Sequence, residues 1–305
     1  MFMLIFEQLI KMFFIMLLAF FCYRKGLVNQ EGNRSVSNLL LLIVNPCVIL
    51  TVYQVDYDEK LVRGLLLSFA AAIVTHVIGI VVSSLTMRSG SGPDVGIERF
   101  NAMYSNCGFI GIPLIGSVLG SDGVFYLTAY MVTFNLFTWT HGIMLMENKF
   151  SLKNLKEGVL SPMFIASIAA LILFFLQIKI PGVLFDSMNY VAGMNTPLAM
   201  MVAGFSVAQS DIGKMIRKVR LYYVSFVKLI LIPAIMIVIL KFMPLPNDVA
   251  MMTLIASACP AATTGTMMAI RYKQNYTYSS EIFALSTVLS IISIPLIVLA
   301  AESIL

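Results

Sequence analysis

NAMYSNCGFIGIPLIGSVLG, residues 101 to 120, is apolar and long enough to enter a membrane, yet its centre carries Ser105, Asn106, Gly108, Gly111 and Pro113. A run of about 20 apolar residues crosses the hydrocarbon core as a helix. Two glycines and a proline work against one continuous helix here. Glycine costs about 1 kcal/mol relative to alanine in a helix interior and proline about 3 kcal/mol, because proline lacks the amide hydrogen and its ring collides with the carbonyl one turn back. Broken backbone at membrane depth persists only where protein or a water-filled cavity satisfies the freed groups. The stretch therefore reads as one wall of a binding site.

The rest of the chain has the same character. Its 305 residues are 59% hydrophobic and 11% charged, with a mean hydropathy of +0.92, whereas a soluble domain carries roughly 25% charged residues. This is the composition of an all-α polytopic membrane protein. No linker-like or low-complexity tract marks off a soluble domain. The first apolar stretch, 3–23, contains Glu7 and Lys11 and is followed by no small-residue cleavage site, so it reads as a retained span. Cys22, Cys47, Cys107 and Cys259 lie in or at the ends of apolar segments, where free cysteine packs as a small hydrophobe. Their spacing suits neither a metal nor a disulfide framework, and no cofactor or metal is expected. The net charge of +5 comes from residues beside spans and does not point to nucleic acid.

Ten spans follow from the hydropathy pattern, at 3–23, 34–53, 61–85, 99–119, 122–146, 161–178, 187–208, 220–241, 248–270 and 281–303. The loops after spans 1, 3, 5, 7 and 9 hold fourteen Lys and Arg, among them Arg24, Arg88, Lys149, Lys153, Lys156, Lys214 and Arg271; the opposite side holds Lys60, Arg63, Lys179 and Lys241. Cytoplasmic loops collect basic residues, which puts both termini outside a cytoplasmic membrane. The two halves, 1–150 and 151–305, repeat one another. Span 2 carries Asn45-Pro46 and span 7 Asn195-Thr196-Pro197; span 4 carries Pro113 and span 9 Pro260. Five is odd, so the second unit enters from the opposite face and the repeat is inverted. Paired Gly/Pro interruptions in corresponding spans point to a transporter's binding site, although proline is in any case commoner in membrane helices.

If spans 4 and 9 cross near mid-membrane, each presents a half-helix whose N-terminal amides suit an anion. Asn106 offers two uncharged donors there. Ser257, Thr263 and Thr264 occupy the matching region of span 9, where they either meet a ligand or return hydrogen bonds to their own helix. Gly108, Pro113 and Pro260 shape the breaks. Asn45 and Asn195 either cap backbone beside Pro46 and Pro197 or touch the ligand. Ionisable groups at membrane depth need a reason. His76 is a packing histidine or a proton carrier. Lys228 snorkels along its stem toward the interface or offers its charge to a carboxylate. Glu281 opens span 10, where a carboxylate also suits a helix N-terminus. Glu7 and Lys11 are spaced to pair on one helix face; His141, Tyr130 and Trp139 read as interfacial or packing residues.

Asn106-x-Gly108-x-x-Gly111-Ile112-Pro113-Leu114 resembles the fourth-span motif of the auxin efflux carrier family, which includes plant auxin exporters and bacterial transporters of malonate and malate. Thr196-Pro197-Leu198-Ala199 through Gly204, Cys259-Pro260-Ala261-Ala262 through Tyr272, and Glu281 through Ser286-Thr287 to Pro295-Leu296 resemble it too. The resemblance implies ten helices, a scaffold of spans 1, 2, 6 and 7, and a transport unit of spans 3–5 and 8–10 with spans 4 and 9 crossed. It further implies an organic-anion substrate, elevator-like alternating access and a homodimer. The family's span-4 asparagine falls on Asn106 and its crossover prolines on Pro113 and Pro260. The long central loop of some plant members is absent, so a short bacterial-type carrier is expected. The leading function is secondary transport of a small carboxylate. The alternatives are a sodium- or proton-coupled carrier of another solute and a receptor without transport. A membrane enzyme is disfavoured, because no HExxH, GxSxG or Cys/His ligand group appears.

Overall fold

The computed structural model describes residues 2–88, 92, 94–147 and 160–305. Lys149, Lys153 and Lys156, which entered the charge reading, lie outside the described residues, as does the boundary between 150 and 151. Helices run as α1 Phe2–Arg24, α2 Gln30–Val52, α3 Glu59–Thr86, α4 Val95–Met103, α5 Cys107–Glu147, α6 Pro162–Phe175, α7 Gly182–Gly193, α8 Asn195–Ala208, α9 Ile212–Met215, α10 Val219–Phe242, α11 Asn247–Ala258, α12 Thr263–Arg271 and α13 Tyr276–Glu302. No β-strand occurs among the described residues. Seven helical stretches are long and apolar enough to cross a membrane: α1, α2, α3, α5, the bent pair α7–α8, α10 and α13. The long α5 is two arms meeting at Gly120, whose φ of 66° and ψ of −157° are strained for a side-chain-bearing residue.

Three of the prolines inside these helices are handled by one device. Residues Leu40–Val44, Cys107–Gly111 and Val227–Leu231 form π turns, each ending two residues before a proline, Pro46, Pro113 and Pro233. In each case the residue just ahead of the proline reaches back five positions: Asn45 N–H to Leu40 O, Ile112 N–H to Cys107 O and Ile232 N–H to Val227 O. The widened turn makes room for the ring and the carbonyl it would strike. Two expectations are thereby corrected. The Asn45-Pro46 site is not a break, since α2 runs through it. Pro113 is likewise helical, and the unwinding of span 4 falls earlier, at Tyr104–Asn106, between α4 and α5. In α7–α8 the chain bends at Met194, just before Asn195.

Helices α1, α2 and α6–α8 pack on one another, and α3–α5 pack with α10–α13. The closest pair in the first group is α1 and α8. A Cβ on Gly204 would overlap the Met16 carbonyl oxygen and press on Ala19, the small-residue contact by which membrane helices approach. In the second group Gly64 of α3 lies under the Tyr126 ring of α5. Helices α1 and α8 of the first group face α5 and α13 of the second.

Candidate functional site

The two unwound segments meet. Asn106 N–H donates to Pro260 O at 2.8 Å, Ala262 N–H donates to Tyr104 O at 3.0 Å, and Ser105 and Ala261 form an isolated antiparallel bridge between them. Backbone that helix geometry would have served is thus satisfied across the crossing. Ser286 of α13 adds a side-chain acceptor for Ala261 N–H at 3.1 Å. Four helix ends converge here: the C-termini of α4 and α11, and the N-termini of α5 and α12.

Lys228 decides the electrostatics of this crossing. Its π turn in α10 directs a fully buried side chain, 1% exposed, at the two C-terminal ends. Nζ donates to Ser105 Oγ at 2.5 Å, to Ser257 O at 3.1 Å and to Met103 O at 3.5 Å. The expectation of snorkelling toward the interface is therefore overturned: the ammonium points inward, because C-terminal carbonyls carrying partial negative charge offer it partners. None of the ion pairs among the described residues includes Lys228.

Asn106 caps the N-terminus of α5, its Oδ1 accepting from Phe109 N–H at 3.3 Å. Its Nδ2 is buried without a partner, and so is Thr264 Oγ1 at the start of α12. Thr263 opens α12. Ser257 spends its hydroxyl on Leu254 O at 2.7 Å, leaving its carbonyl as its contribution to the crossing. Pro260 lies in the unwound segment itself, and Gly108 and Pro113 lie in the first two turns of α5. Asn45 and Asn195 bond to each other at 2.7 Å, on the side of the crossing occupied by α2 and α8. Beside Ile110, a small cleft of about 20 Å³ opens between Met12 and Met16 of α1, Met200 of α8, and Thr287 and Ser290 of α13.

The other candidates take no part in the hydrogen bonds of the crossing. His76 is 2% exposed, bonds Ala72 O through Nδ1 at 2.7 Å, and sits among the rings of Tyr104, Tyr130, Phe134 and Phe137. His141 Nδ1 lies 3.3 Å from Tyr104 Oη. Glu281 takes both carboxylate oxygens to Lys218 Nζ, at 2.8 and 2.6 Å, and Glu98 takes a two-pronged bond from Arg220 plus one from Tyr278. Glu7 and Lys11 pair at 2.8 Å on an exposed face. Sequence reasoning placed Ser105 in the broken stretch and Ser286 in the family motif without giving either a role at the site, and it missed Tyr104. Ser105 adjoins Asn106 in the broken stretch and was within reach, but the contact of Ser286 with Ala261 spans 25 residues and has no local signal.

Comparison with known proteins finds membrane transporters. The family model described as "Membrane transport protein" matches residues 4–298. An uncharacterized transporter of Escherichia coli, YfdV, is 23% identical over 308 residues, covering 95% of this chain and 95% of its own. An uncharacterized transporter of Methanothermobacter thermautotrophicus is 23% identical over 301 residues, covering 95% of this chain and 96% of its own.

Proposed function

This chain belongs to the membrane transport protein family, and on that premise we propose that it is a secondary carrier of a small organic anion, bound as a carboxylate at the crossing of the two unwound segments. The observation that carries this reading is Lys228, a buried lysine held at the crossing with no carboxylate partner among the described residues. A buried charge without a counter-ion is costly, and an incoming carboxylate supplies one. The two half-helix C-termini are already served by Nζ, while the N-termini of α5 and α12 remain positive ends available to the anion. Asn106 Nδ2 is a donor waiting at the first of them. The alternative of a sodium ion seated at the crossing is disfavoured, since the Met103 and Ser257 carbonyls that would suit it are taken by Nζ.

On this reading α5 counts as two passes divided at Gly120, and α4 and α11–α12 complete the broken fourth and ninth passes. With α6 the total is ten, arranged as two inverted units, 1–150 and 151–305, with both termini outside the cytoplasmic membrane. The group α1, α2 and α6–α8 is the scaffold, and α3–α5 with α10–α13 is the moving unit of an elevator. The methionine-lined cleft beside Ile110 lies between the two. Uptake of labelled mono- and dicarboxylates into proteoliposomes, with and without proton and sodium gradients, tests the proposal. Carboxylate uptake lost in Asn106→Ala is expected. Wild-type affinity in a folded Asn106→Ala protein would discard the assigned site, and sodium-dependent uptake of a neutral solute would discard the function.

A further inference from the structure

Asn45 of α2 and Asn195 of α8 make one hydrogen bond between their side chains, Asn195 Nδ2 donating to Asn45 Oδ1 at 2.7 Å. That bond leaves Asn45 Nδ2 and Asn195 Oδ1 without partners, in side chains 0% and 3% exposed. Exchanging N and O on both amides reverses the bond and still leaves one donor and one acceptor. Capping does not account for them. The backbone beside Pro46 is served by the π turn, with Asn45 N–H reaching Leu40 O, and the amides are spent on each other. Buried polar groups are normally satisfied, so a donor and an acceptor left together point to something that visits.

Gly108, in the first turn of α5, adjoins the pair. A Cβ on Gly108 would stand 4.0 Å from Asn45 Nδ2 and 3.9 Å from Met163 Cε, with nothing nearer. The neighbouring glycines are tighter: Gly111 meets Cys107 Cβ at 3.4 Å, and Gly265 meets Asn101 Oδ1 at 2.7 Å. Two residues before Gly108, Asn106 carries a further unpartnered donor in a side chain 4% exposed. An uncharged donor–acceptor pair and, two residues from Gly108 in the chain, a lone amide donor therefore gather near the least crowded of these three glycines.

We propose that the Asn45–Asn195 pair is the second half of the ligand site and selects carboxylates that carry an adjacent hydroxyl. This rests on the reading of the crossing as an anion site. The carboxylate oxygens accept from Asn106 and from the free amide N–H of the pair, and the hydroxyl donates to the pair's free carbonyl. A site built to hydrogen-bond a hydroxyl rejects the analogue that lacks it, because its own buried groups are then left unpaired. Because the pair stands on α2 and α8 and Asn106 caps α5, such a ligand also ties the two helix groups together.

Binding to the purified full-length chain in nanodiscs, measured with matched acids, tests this. Lactate is compared with propionate, 2-hydroxybutyrate with butyrate, and malate with succinate. In at least one pair the hydroxy acid should bind about tenfold more tightly or better, and Asn45→Ala and Asn195→Ala should each erase the preference. Gly108→Val, which adds bulk beside Asn45 without altering either amide, should weaken both acids of the pair and keeps the test open if the alanine variants fail to fold. Equal binding of both acids in every pair overturns the inference and leaves the anion reading standing. Alanine variants that melt lower yet keep the hydroxyl preference overturn it too. No binding of any carboxylate sinks both.

Discussion

Replacing Lys228 by glutamine removes the charge at the crossing and keeps a donor. The amide N–H of glutamine is suited to Ser105 Oγ and Ser257 O, which Lys228 Nζ reaches at 2.5 and 3.1 Å, so the local hydrogen bonding is largely retained. What goes is the attraction for a bound anion. An ammonium acting on a carboxylate about 7 Å away, at an effective dielectric of about 20, contributes about 2.4 kcal/mol, or roughly 50-fold in Kd. Lys228→Met is the companion variant, because it removes donor and charge together. It leaves the Met103 carbonyl unmet and the Ser257 carbonyl with only the Ser105 hydroxyl at 3.1 Å, at about 1–3 kcal/mol per unsatisfied group. Relief of an uncompensated buried charge works the other way.

The assay pairs carboxylate binding with thermal melting in the same preparation. Lys228→Gln should melt close to wild type and bind roughly 50-fold more weakly. Glutamine binding the anion with wild-type affinity would refute the electrostatic reasoning, whatever the methionine variant does. Loss of binding in both variants together with a large fall in melting temperature for both would mean that Lys228 holds the crossing shut and does nothing for the ligand.

Gly204→Leu should destabilise by about 1–3 kcal/mol through overpacking, since even a Cβ there overlaps the Met16 carbonyl; a melting temperature equal to wild type would contradict the α1–α8 contact. Glu98→Gln loses the charge partner of Arg220, whose side chain is 41% exposed, so the cost should be held near 1 kcal/mol by solvent screening, read as a small shift in denaturation midpoint. Tyr53→Phe removes the hydroxyl shared with Thr128 at 2.5 Å while keeping the ring against Phe125, and should destabilise by about 1 kcal/mol. Lys179, 2.9 Å from Asp56, holds that loop carboxyl below its usual range. A depressed carboxylate stabilises above its unfolded pKa and loses that contribution as pH falls through the folded one. The melting difference between wild type and Asp56→Asn should therefore be present at neutral pH and vanish in acid.

Membrane character was legible because composition alone excludes a soluble domain, and the position of the break in span 4 was legible to within a turn. Gly108, Gly111 and Pro113 mark a stretch that cannot be plain helix. They do not say whether it unwinds or widens, and the structure does both, with a π turn at Cys107–Gly111 behind an unwound Tyr104–Asn106. The same ambiguity made Asn45-Pro46 read as an interruption, when a π turn absorbs that proline within a continuous helix. Lys228 was visible as a buried cation, but its direction was not. A lysine two turns inside a helix reaches the interface or the interior equally well along its stem, and only the position of the α4 and α11 ends decides. The partners of Asn106 and Ala261 come from segments more than 150 and 20 residues away respectively, and no local pattern encodes such pairings.

The hydrogen bonds at the crossing have local two-fold symmetry: Asn106 corresponds to Ala262 as donor, Tyr104 to Pro260 as acceptor, and Ser105 to Ala261 at the bridge. Each member of a corresponding pair is 156 positions from the other. A symmetric crossing presents two positive helix ends and two negative ones of similar size, so its backbone favours neither anion nor cation. The sign must come from a residue that breaks the symmetry. Lys228 is such a residue, for the position 156 before it is Ala72, fully buried and uncharged. On this reasoning the proposed preference for an anion belongs to one side chain rather than to the fold. Relatives of the same architecture with a carboxylate or a neutral residue at the lysine's place should then bind cations or neutral solutes. A Lys228→Glu protein that folds and still prefers carboxylates over monovalent cations would show that the helix ends, and not the lysine, set the charge of the guest.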